Sequence, residues 1–155
     1  MLYTGDDFVI IDFEGESARR LGERKIKRSP LRDVAGMVRS FHYAAYVALQ
    51  GQASTVVRPE DIPLLEKWAH AWYLCVSATY VKSYLDLMAD TLIIPQNRED
   101  MKVIMDTYLL DKTIYELNYE LNNRPKWVGL PLRGILQMLE PTDESVIPER
   151  KKPKE

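Results

Sequence analysis

The strongest constraint on this chain is helical periodicity, which runs through most of it. Apolar residues fall at 34, 37, 38, 41, 45 and 49, the spacing of a helix with one face turned to a core. Ser29 suits the N-cap, Pro30 the first helical position, and Asp33 the first turn, where its charge favours the positive end of the helix. Gly51 provides the stop. After a polar loop over 52–58, Pro59-Glu60-Asp61 opens a long helix to about Ala89, with Pro63 acceptable only in its first turn. Its apolar set of Leu65, Trp68, Trp72, Val76, Tyr80 and Leu87 reads as core. Asn97 then caps a further helix, with Asp100 placed as in a capping box. One stripe on it holds Met101, Ile104, Met105, Tyr108, Tyr115 and Tyr119. A second holds Leu110, Ile114, Leu117 and Leu121, so the helix is expected to pack on both sides. Pro131 begins a last short helix through Leu139.

The N-terminus differs. Leu2-Tyr3, a Thr4-Gly5-Asp6-Asp7 turn and Phe8-Val9-Ile10-Ile11 read as a hairpin whose second strand is buried. Such a hairpin needs a helix to cover it. The expected fold class is therefore mainly α, with a small N-terminal β-hairpin and about four helices.

Composition narrows the function. With 46% apolar residues in 155, the chain can bury a core. Its 21 basic and 23 acidic side chains leave a net charge of −2, which gives no overall drive toward nucleic acid or a membrane surface. The single Cys75 cannot form an internal disulfide and sits among apolar neighbours, so it reads as a small core residue in a reducing, cytoplasmic protein. There is no signal peptide and no apolar run long enough for a membrane span. The tail from Pro141 to Glu155 ends in Glu149-Arg150-Lys151-Lys152-Pro153-Lys154-Glu155 and reads as disordered, leaving one folded unit over 1–140.

Three features carry chemistry. First, the strand delivers Asp12, followed by Phe13, Glu14 and Gly15. An aspartate held this way suits Mg²⁺ against nucleotide phosphates, with Glu14 nearby, because Mg²⁺ takes only one or two protein carboxylates. The same four residues also fit a solvated acidic turn. Second, Arg19 to Arg32 holds seven basic residues and one acid, either a solvated segment or a phosphate-facing one. Third, Tyr115, Glu116, Tyr119, Glu120, Arg124 and Trp127 set rings, carboxylates and a guanidinium along one helix end. Acids and arginine take sugar hydroxyls, and aromatic faces cover the C–H side of a sugar ring. The alternative is core tyrosines with solvated acids. His42 reads as a packing histidine, and His70 has no partner at metal spacing.

The run Ile11-Asp12-Phe13-Glu14-Gly15-Glu16 does not stand alone. With Leu21-Gly22-Glu23-Arg24, Lys27 to Met37 and Arg39-Ser40-Phe41, it resembles the C-terminal lobe of bacterial maltokinases. These belong to the aminoglycoside-phosphotransferase-like branch of the protein-kinase fold and are often fused to trehalose synthase. The resemblance resumes at Trp68-Ala69-His70-Ala71-Trp72-Tyr73 and from Tyr115-Glu116-Leu117 through Asn123-Arg124-Pro125-Lys126-Trp127. Ser17 departs from it, since the family more often has proline there.

The resemblance implies a kinase-like C-lobe portion of an ATP-dependent kinase forming maltose 1-phosphate. It makes Asp12 the Mg²⁺ ligand, with ATP as the nucleotide, and Asp33 a brace for the catalytic loop. It places maltose against Glu116, Tyr119, Glu120, Arg124 and Trp127, and makes a trehalose synthase domain a possible partner. The family's His-Gly-Asp catalytic loop, Gly-rich loop and strand lysine do not occur in this sequence. No catalytic residue is therefore expected in the chain, which should be inactive alone. A kinase for another sugar or small molecule, and a helical accessory module of a trehalose synthase fusion, are the rival readings.

Overall fold

The computed structural model describes residues 2–11, 20–50 and 58–139. Of these, 76% are helical, with a two-stranded antiparallel hairpin at the N-terminus. Strands β1 (Leu2–Tyr3) and β2 (Phe8–Val9) pair Leu2 with Val9 and Tyr3 with Phe8. Gly5 takes φ of 107° at the turn, a conformation open to glycine and costly for other residues. The Thr4 amide closes the turn on the Asp7 carbonyl at 2.9 Å.

The second strand is shorter than the Phe8–Ile11 run, and it is not buried. Phe8 to Ile11 are all exposed. A two-stranded ribbon has two faces, and among the described residues no helix packs against either. Asp12, Glu14 and the Ser17 departure lie outside the described residues, as does the expected tail.

Helix α1 (Leu21–Arg24) is a single turn. Helix α2 (Leu31–Gln50) begins where the cap signal places it, with the Ser29 hydroxyl accepting from the Leu31 amide at 3.3 Å. Val34, Val38 and Ala45 are buried, as the helical spacing requires. A 3₁₀ turn over Pro59–Asp61 leads into α3 (Ile62–Met88), with Pro63 in its first turn. Helix α4 (Arg98–Asn123) starts under Asn97, whose side chain accepts from the Glu99 amide at 2.9 Å. A second 3₁₀ turn, Pro125–Trp127, precedes α5 (Gly129–Leu139), which starts two residues before Pro131.

Helix α2 is the central element, packing against both α3 and α4, while α5 closes on α4 and α2. Its N-terminal half meets the second half of α3, the start of α4 and Ile94 in one apolar cluster around Leu31 and Val34. Its C-terminal half meets Ala69 and Leu130 around Ala45 and Tyr46 in another.

Two expectations about packing fail. Trp68 is 66% exposed, Leu87 is 83% exposed, and Trp72 and Cys75 are exposed too. On α4, Leu110, Ile114 and Leu121 of the second stripe are also exposed. Trp68 and Trp72 edge an open groove beside Ala44, Ala48 and Leu49 of α2 without being covered, and on α4 no described helix other than α2 and α5 packs to cover the second stripe.

Candidate functional site

The C-terminal half of α4 and the facing surface of α2 form an open cleft of about 390 Å³. It is lined by Ser40 and Tyr43 from α2 and by Lys112, Tyr115, Glu116, Tyr119, Glu120 and Arg124 from α4 and its end. This size lies in the usual range for small-molecule pockets. The i, i+3, i+4 spacing of the α4 residues puts them on one face of the helix.

Four of the five residues expected to contact a sugar therefore share one cleft: Glu116, Tyr119, Glu120 and Arg124. Trp127 does not line it. Its ring lies beneath Arg124, with the guanidinium carbon 4.5 Å from the ring centroid, and Tyr119 sits 5.2 Å away on the same cation. Trp127 thus packs on Arg124 and is not among the residues that line the cleft.

Neither carboxylate is a freely solvated one. Glu120 is 1% exposed and fully engaged. Arg124 donates Nε to Oε2 at 2.9 Å and Nη2 to Oε1 at 2.7 Å, and the Tyr43 hydroxyl donates to Oε1 at 3.2 Å. This is the forked geometry that makes arginine–carboxylate pairs strong. Glu116 is held from behind by Arg39, whose Nε donates to Oε2 at 2.9 Å. Burial pushes the Glu116 carboxyl above the usual range, and Arg39 and Lys112 oppose that shift. Burial, then Glu116 and Glu120, push the Tyr43 hydroxyl up, so it stays a neutral donor across the physiological range.

Sequence reasoning missed the α2 side of this site. Ser40 and Tyr43 lie more than seventy residues from Glu116 and Glu120, and no local spacing links them. A signal did exist in Arg39, a charge on the otherwise apolar face that carries Val38 and His42.

Asp33 lies in the first turn of α2, exposed, away from this cleft. In the basic run, Lys25, Lys27 and Arg28 are exposed, while Arg24 and Arg32 are half-buried and engaged with partners. His42 is buried as a packing residue in a polar cluster on the far side of α2. It lies 3.1 Å from the Gln137 side chain, which also reaches Tyr46 and His70. Among the described residues no group of three or more His, Cys, Asp or Glu is arranged to hold a metal ion. No helix there is long and apolar enough to cross a membrane.

No protein-family model matches the chain.

Proposed function

We propose that this chain is the C-terminal part of an ATP-dependent sugar kinase of the maltokinase type, with a kinase-like helical lobe, and that the α2–α4 cleft is its sugar-facing surface. The single observation that carries this reading is the convergence of Glu116, Tyr119, Glu120 and Arg124 on one cleft with Ser40 and Tyr43 opposite. A neutral polyol needs donors and acceptors at close spacing, with aromatic faces and little net charge. Two acids, two cations, three tyrosines and a serine supply that set.

The residues divide the work. Glu116 accepts from a hydroxyl, Tyr43 and Ser40 offer hydroxyl groups, and Tyr115 and Tyr119 supply ring surface. Glu120 holds Arg124 and Tyr43 in place. Mg²⁺, held at Asp12 with ATP, would neutralise charge on the transferring phosphoryl group. Asp12 and Glu14 lie outside the described residues. Asp33 serves as a brace for the family's catalytic loop, and cytoplasmic maltose metabolism is the setting.

Isothermal titration of the chain with maltose, glucose and trehalose tests the cleft. Maltose binding that weakens in Glu116→Gln is expected, and equal heat from all three sugars would favour another acceptor. The isolated chain should phosphorylate none of them from ATP, and turnover by it would refute the assignment as a partial enzyme.

A second reading, an accessory module docking on a trehalose synthase domain, is favoured by the apolar faces of α3 and α4 that meet no partner among the described residues. Tight association with that domain in the absence of sugar binding would select it.

A further inference from the structure

The two acids of the cleft are not equivalent. Both oxygens of Glu120 are taken, by Arg124 and Tyr43. Glu116 is bonded only through Oε2 among the described residues, and Oε1 has no partner there. Its holder, Arg39, does not line the cleft. Arg39 is 2% exposed, with Nε 2.9 Å and Nη2 2.8 Å from Glu116 Oε2. Its guanidinium carbon lies 5.7 Å from the centre of the Tyr43 ring. On the remaining side it abuts Gly134 of α5, where an added Cβ would lie 2.3 Å from Nη1.

We propose that Arg39 is a positioning residue for the cleft. By holding Oε2 of Glu116 it fixes that carboxylate with Oε1 left to accept from a ligand hydroxyl, and Gly134 is the position that admits it. This rests on the sugar-binding reading of the cleft. A planar guanidinium held on three sides cannot swing as a flexible ammonium would, so Oε2 of the carboxylate it grips is held in place and Oε1 is the oxygen left for a ligand. An acid so oriented selects ligands that donate hydrogen bonds and repels anionic ones. Arg39 also draws the buried Glu116 toward its charged form.

The test combines maltose titration of wild type, Arg39→Met, Glu116→Gln and the double variant with NMR titration of the Glu116 carboxyl carbon in wild type and Arg39→Met. Arg39→Met is expected to weaken maltose binding by about tenfold, the effect of one lost hydrogen bond, and to move the Glu116 titration to higher pH. The double variant should bind no more weakly than Glu116→Gln alone, because Arg39 acts through Glu116. Additive losses, or a Glu116 titration unmoved by Arg39→Met, would overturn the proposal. Should Arg39→Met not fold, Arg39→Lys decides. Weakened binding with a near-wild-type Glu116 titration supports the role of the rigid fork, and unchanged binding overturns it. Should wild type bind no maltose, the sugar reading falls, while the carboxyl titration still decides whether Arg39 governs Glu116.

Discussion

The Arg39 guanidinium occupies the space that a side chain at position 134 would fill: a Cβ on Gly134 would lie 2.3 Å from Nη1 and 3.0 Å from Cζ. Arg39 is buried and ion-paired to Glu116, so it cannot yield without loosening that pair. One contact thus ties α5 to α2 and, through Glu116, to α4.

Gly134→Ala is the direct consequence. Alanine is the better helix former by about 1 kcal/mol, so a surface glycine on α5 replaced by alanine would stabilise. Here the expected result is the reverse, a loss of about 1–3 kcal/mol from overpacking, read as a lower midpoint in urea.

Arg124→Ala should also destabilise. It leaves the Glu120 carboxylate buried with only the Tyr43 hydroxyl as a described partner. Because Arg124 is itself 45% exposed, water can enter, and the expected cost is about 1–3 kcal/mol. Glu120→Gln combined with Arg124→Ala should recover part of it by removing the stranded charge.

These two positions mark what the sequence could and could not convey. Helix starts were legible because caps are local: Ser29 before α2 and Asn97 before α4 act within two residues. The cleft's α4 side was legible because i, i+4 spacing brings Glu116, Glu120 and Arg124 together on one helix. The Arg39–Glu116 and Tyr43–Glu120 pairs each span 77 residues, and nothing in either neighbourhood names the partner. Burial failed at Phe8, Trp68 and Ile114 for a related reason. Periodicity shows that a face is apolar, and only the tertiary arrangement shows what covers it.

Trp68 gives a measurable form of that last point. Were it core, its loss would cost about 3–5 kcal/mol. At 66% exposure, Trp68→Ser should change stability by about 0.5 kcal/mol or less, checked by thermal unfolding, with improved solubility.

Acid should destabilise the fold through His42. Burial first, then the positive charges of Arg39, Arg133 and His70, lower it from 6.5 to about 3, against a raising hydrogen bond from Gln137. A base whose folded value is depressed stays neutral in the fold while the unfolded chain takes up a proton. Stability therefore falls as pH drops from 6.5 toward 3 and levels off below. Glu116, shifted upward, works in the opposite sense, since the folded protein protonates it first as pH falls. The fall in midpoint over this window should flatten in His42→Gln, followed by urea unfolding at a series of pH values.

Chemical-shift mapping with maltose on the isotopically labelled chain tests the sugar-cleft assignment most directly. Saturable shifts centred on Ser40, Tyr43, Tyr115, Glu116 and Tyr119, needing more maltose to saturate in Glu116→Gln, are the expected result. Shifts centred on the α2–α3 surface around Trp68 and Trp72, or none at millimolar maltose, would contradict it.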